Sequence, residues 1–129
     1  MNFLEDTIYI PNIAWNVIHL VVTQQLLCYK LAGQAMYVDD ELVDNYRKGT
    51  APNPNKPVSL EDFNKYKEEL MLNVDRVKED YKKSTSYISF TNSVGININS
   101  IEDAIAFNNY HEGLHTGFVN ALLRAIQAS

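Results

Sequence analysis

Ser100-Ile-Glu-Asp-Ala-Ile-Ala-Phe-Asn-Asn-Tyr-His-Glu-Gly-Leu-His-Thr-Gly117 decides the fold. Ser100 followed by Asp103 is a capping-box pattern, with Asp in place of the usual Glu, and it opens a helix. Ile101, Ala104, Ile105, Phe107, Leu114, Phe118, Val119, Leu122 and Ile126 continue at helical spacing. They predict one long helix to the C-terminus with a broad apolar face. His111 and His115 stand four residues apart in its middle, so both rings lie on one face and can converge on one ion.

Working outward, Pro11 to Tyr29 falls within the longest uncharged run. Its Asn12, Asn16, His19, Thr23, Gln24 and Gln25 make a membrane span untenable, so no membrane partner is expected. Ile13, Trp15, Val17, Ile18, Leu20, Val21, Val22, Leu26, Leu27 and Leu31 surround the helix on nearly all sides, which predicts a buried helix. Pro11 suits its first turn, Asn12 can cap it, and Gly33 can stop it in a left-handed conformation. Residues 1–11 are then a short N-terminal segment. Residues 34–58 form a Pro/Asn-rich excursion with a short helical turn over Asp40 to Tyr46, ended by Gly49. Ser59 with Asp62 opens another helix to about Lys82, striped by Phe63, Tyr66, Leu70, Val74, Val77 and Tyr81. Residues 84–99 read as a connecting loop with a short extended piece. Three long helices and no substantial sheet predict an all-α bundle.

The 129 residues fit a single domain, 1–129, and the 46% apolar content gives it a core. A net charge of −5, from 16 acidic and 11 basic residues, offers no general attraction to phosphate backbones, so no nucleic-acid partner is expected. No secretory signal is visible, and the single Cys28 precludes an internal disulfide, which together suggest a cytoplasmic protein. Cys28 lies about 100° around its helix from His19 and reads as a small core residue.

The chain has three histidines, and His19 occupies the middle of the apolar first helix. Histidines on apolar helices are commonly core or interface residues. Here all three lie on apolar helices and two are at ligand spacing, which favours a three-nitrogen metal site in the bundle interior. Three protein ligands leave a position for a small-molecule substrate. Asn16 and Asn108, each three residues before a histidine, and Thr23, four after His19, are candidates to orient the rings. Trp15 and Tyr110 are candidates to line a pocket, with core packing the plainer reading of Trp15. Glu112 is a candidate general base beside the metal, or else a solvated carboxylate. His111-Glu112-Gly113-Leu114-His115 also matches the zinc-peptidase H-E-x-x-H pattern. Phe118 and Ala121 break the metzincin extension, however, and no acidic residue follows Glu112.

The segments Asn12-Ile-Ala-Trp-Asn-Val-Ile-His-Leu-Val-Val-Thr-Gln-Gln-Leu-Leu27 and Asn99 to Gly117 resemble the DinB-like (YfiT-related) metal-binding superfamily. The resemblance implies a four-helix bundle whose divalent metal is held by one histidine on the second helix and an H-x-x-x-H pair on the fourth. The ligands would be His19, His111 and His115, and nickel, zinc or iron the candidate ions. It implies a metal-dependent, often thiol-dependent, transferase, or a hydrolase; a dimeric, non-enzymatic module with a structural or sensing metal is the alternative. Thr116-Gly117-Phe118 departs from the Gln that relatives often carry after the pair. The family's first helix is short or missing here, because too few residues precede the His19 helix. An apolar helix left uncovered by that loss leads to the expectation of a homodimer.

Overall fold

The computed structural model describes residues 3–128, with side chains from residue 12 onward. Helix α1 spans Phe3–Gln25 and widens into a π-helical segment, Leu26–Lys30. A short α2, Asp40–Tyr46, follows in the excursion, and then α3, Leu60–Asp80, closed by a 3-10 turn over Tyr81–Lys83. A two-stranded antiparallel hairpin, β1 (Phe90–Thr91) and β2 (Asn97–Ile98), leads into α4, Ile101–Gln127. Phe90 pairs with Ile98 and Thr91 with Asn97. The chain is thus an all-α bundle of three long helices, one short helix and a minimal hairpin. Among the described residues, no helix is long and apolar enough to cross a membrane.

The predicted caps form. The side chains of Ser59 and Ser100 accept from the backbone N–H of Asp62 and Asp103, three residues on. Asp39 does the same for α2 through Leu42. Gly33 ends the first helical run at φ 73°, a conformation that favours glycine.

The start of α1 is a correction. The helix begins at Phe3, so it runs through position 11 instead of opening at Pro11 with Asn12 as cap. Proline fixes φ at a helical value and forfeits a single backbone donor, so a helix with enough burial downstream tolerates it. That burial is extensive: Ile13, Ala14, Ile18, Leu20, Val21 and Val22 are all in the core.

A second correction concerns α4. Its apolar residues do not share one buried face. Ile101, Ala104 and Ile126 are buried, whereas Tyr110, Leu114 and Phe118 are 61%, 59% and 51% exposed. At 100° per residue Tyr110 lies about 100° and Leu114 about 60° around α4 from His111, which faces α1, and Phe118 lies beside His111 further along the helix. Exposed apolar side chains thus lie on α4 and also on α3, where Leu60 and Met71 are exposed, whereas the described α1 residues from Asn12 to Gln25 are buried or half-buried.

Candidate metal centre

Helices α1 and α4 run antiparallel, with Asn16 meeting His115 and His19 meeting His111. This crossing gathers the three imidazoles. One ring nitrogen from each lies within 4.8 Å of the others, and the His19 and His111 Nε2 atoms are 3.3 Å apart. Two nitrogens held tetrahedrally at a zinc-type bond length stand about 3.4 Å apart, so this pair already has the spacing of two ligands on one ion.

Hydrogen bonds fix how two of the rings point. His19 Nδ1–H donates to the Tyr46 carbonyl at 2.8 Å, which leaves Nε2 unprotonated, with its lone pair accepting from His111 Nε2–H at 3.3 Å. His115 Nδ1–H donates to Asn16 Oδ1, which likewise leaves its Nε2 unprotonated. The Asn16 amide is itself oriented, since its Nδ2 donates to the Asn12 carbonyl at 2.7 Å. Trp15 stacks on His19, with ring centroids 4.6 Å apart and an interplanar angle of 10°. Phe107 stacks on His111 at 6.1 Å. His111 Nδ1 is buried and has no hydrogen-bond partner.

All three rings are held neutral. Burial lowers the pKa of His19, against the pull of the Tyr46 carbonyl, and burial with the neighbouring His19 lowers that of His115. Burial and both other rings bring His111 down to about 4. Neutral imidazole is the metal-binding form, so near neutral pH the cluster offers lone pairs without first shedding protons.

The excursion supplies a part of the site that the sequence did not reveal. Val43 of α2 is 3% exposed and packs with Ile18 and Val22. Burying such a side chain stabilises by about 1.5–3 kcal/mol, which anchors α2 and with it the Tyr46 carbonyl three residues later. A backbone oxygen carries no residue-type signal, so nothing in the sequence marked Tyr46. Thr50 reinforces the same corner, accepting from Trp15 Nε1 at 3.2 Å and donating to the Arg47 carbonyl at 2.7 Å.

The other expected site residues fall as follows. Asn16 orients His115 and not His19, the ring nearer in sequence. Thr23 bonds none of the rings, because the Nδ1 of His19 is already satisfied by Tyr46. Asn108 Nδ2 donates to Glu112 Oε1 at 3.0 Å, and its own carbonyl oxygen is buried without a partner. Tyr110 is exposed and lines only a shallow cleft against the hairpin. Glu112 and Asn108 line a cavity of about 340 Å³ between α1, α3 and α4, together with Gln24, Cys28 and Val77. Burial raises the Glu112 pKa and pushes the Cys28 thiol up to about 12, so Cys28 is the inert core thiol expected of it. The only strands among the described residues are two residues long, which leaves no sheet edge of the kind on which a peptidase seats its substrate.

Three clustered histidines on the crossing helices of an all-α bundle define a candidate metal-binding helical protein. Residues 8–119 match the model of the DinB superfamily, and the chain belongs to that superfamily. No curated protein and no solved structure matches the chain.

Proposed function

We propose that His19, His111 and His115 hold one divalent ion, with nickel, zinc and iron as candidates, and that the protein is a metal-dependent transferase or hydrolase acting on a small molecule. The observation that carries this reading is the fixed tautomer of His19 and His115. Each spends Nδ1–H on a carbonyl oxygen of the chain and so keeps Nε2 unprotonated, and a bound ion would replace the hydrogen bond between the Nε2 atoms of His19 and His111. Coordination through Nε2 requires the His111 proton at Nδ1. Asn108, one turn earlier on α4, has an unpartnered buried carbonyl oxygen. An ion bound there supplies Lewis-acid polarisation of a substrate oxygen. Three protein ligands leave room for that substrate, which is the feature that favours enzymology over a closed structural site.

Elemental analysis of the purified chain, alongside His19→Ala and His115→Ala, tests the assignment. Near one equivalent of metal is expected in the parent protein and almost none in either variant. Full metal content in both variants would overturn the ligand set. A parent protein that neither contains metal nor takes it up on titration would overturn the function as well.

A further inference from the structure

The cavity of about 340 Å³ between α1, α3 and α4 is walled by one face of each helix. Gln24 comes from α1, Val74 and Val77 lie three residues apart on α3, and Ile105, Asn108 and Glu112 recur at three and four residues on α4. Buried polar side chains are as a rule hydrogen-bonded. Two on this wall are not. Gln24 is 2% and Asn108 5% exposed, and the side-chain carbonyl oxygen of each is buried without a partner. No other buried side-chain oxygen among the described residues lacks one, so both orphaned oxygens belong to the same cavity.

The Asn108 amide does not relieve this by turning over. Its Nδ2 donates to Glu112 Oε1 at 3.0 Å, and an ionised carboxylate only accepts, so the carbonyl oxygen is held away from it. That bond leaves Glu112 Oε2 as a third acceptor. The volume suits an organic molecule: it falls at the lower end of the range for small-molecule pockets, about 300–1,000 Å³, and is roughly ten times the share of one water.

We infer that this cavity binds a small primary amine in its ammonium form, with a short apolar body. An ammonium carries three N–H donors and no acceptor, which matches Gln24 Oε1, Asn108 Oδ1 and Glu112 Oε2 in number and sense. The Glu112 carboxylate meets the positive charge with a charge-assisted hydrogen bond, and Val74, Val77 and Ile105 take the carbon chain. Lys78 also lines the cavity, but it is exposed, and water screens its charge, whereas Glu112 is half-buried. No histidine lines this cavity, so the amine site is separate from the histidine centre and does not rest on its being metallated. An amide oxygen has two lone pairs, so Asn108 serves the amine and still has one for His111 Nδ1–H.

Isothermal titration calorimetry on the full chain tests this, with isopentylammonium chloride, isopentanol and sodium isovalerate as probes that share one carbon body. The ammonium should bind once per chain with a dissociation constant of about 1 mM or tighter, and the other two at least about tenfold more weakly. Gln24→Met keeps the length of the side chain and removes the orphaned oxygen. It should weaken the ammonium about tenfold and raise the thermal midpoint of the ligand-free chain, because a buried unpaired acceptor is lost. Glu112→Gln should weaken the ammonium about 10–100-fold. Amines also bind metals, so the titration is repeated on His19→Ala, where the affinity should stay within about twofold. No binding of the ammonium, equal affinity for the three probes, or full affinity in Gln24→Met would each overturn the proposal. Loss of binding in His19→Ala would overturn it too, by placing the amine on the metal. Val74 is 41% exposed, so Val74→Trp fills the cavity from outside the core. It should abolish binding, and it keeps the test decisive if circular dichroism shows that Gln24→Met does not fold.

Discussion

Two groups of polar side chains among the described residues, one around Asp80 and one around the histidines, are finished differently. Around Asp80 every acceptor is used. Oδ2 takes the hydroxyls of Tyr29 and Tyr37 at 2.8 and 2.9 Å, Oδ1 takes the Lys83 ammonium at 3.0 Å, and Gln34 Nε2 bonds the Asp80 carbonyl at 3.0 Å. Around the histidines, the outward-facing nitrogens of His19 and His115 are fixed and the inward-facing ones converge. His111 keeps a buried nitrogen with no partner. A cluster whose task is to hold α3 to the π segment after α1 saturates its own hydrogen bonds. A cluster that binds something leaves lone pairs over, at a cost of about 1–3 kcal/mol for a buried unpaired group. The difference in saturation, more than the residue types, separates a clasp from a site.

The largest test of this difference is at Asn16. It is no ligand, yet it holds the His115 ring by its Nδ1–H. Asn16→Ala should lower metal affinity about 10–100-fold, the usual loss when a group that orients a ligand is removed, and leave the helical content unchanged. Competition against a chromogenic chelator measures it. An unchanged affinity would mean that the ring is positioned by packing against His19 and His111 alone.

Asn16 also shows what the sequence could convey. Helical spacing pointed to the three histidines that the structure brings together, because i,i+4 histidines on one helix and one histidine on another leave few geometries. The same spacing paired Asn16 with His19 and Asn108 with His111, and the structure pairs Asn16 with His115 and Asn108 with Glu112. Periodicity places a side chain on a face but does not say which neighbour it meets across a helix crossing. Tyr46 was out of reach for a different reason, since its contribution is a backbone carbonyl brought in by the burial of Val43. The Ser59 and Ser100 caps were legible because they depend on local sequence alone. The exposure of Leu114 and Phe118 was not, because an apolar residue gives the same signal whether it is buried or exposed.

A smaller effect is expected at the clasp. Asp80→Asn keeps the shape but weakens the bonds from Lys83 and the two tyrosines, and should cost about 1–3 kcal/mol in urea unfolding. Metal affinity should stay within about twofold of the parent, because independent sites add. Coupled losses of stability and affinity would show that the clusters act as one unit through the π segment.

The smallest effect separates the two clusters along the pH axis, in chelator-treated protein. The folded histidines have pKa values below the ordinary 6.5, with His111 at about 4, so the unfolded chain binds more protons between those limits. Unfolding free energy must then fall as pH drops from about 6.5 toward 4, by the linkage between proton uptake and stability. His111 and His115 are only partly buried, and solvent screening keeps the slope shallow. Asp80 behaves like the usual paired carboxylate. The hydrogen bonds from Lys83, Tyr29 and Tyr37 hold its pKa below 3.8, so its contribution survives until the pH falls under that value. Glu112, raised by burial, works in the opposite sense near the lower end of the histidine window. Urea midpoints measured from pH 7.5 to pH 3 should therefore decline in two stages. His111→Gln should flatten the upper stage and Asp80→Asn the lower, each leaving the other in place. A single decline abolished by either substitution would mean that the proton-sensitive surfaces of the clasp and the histidine centre are thermodynamically one.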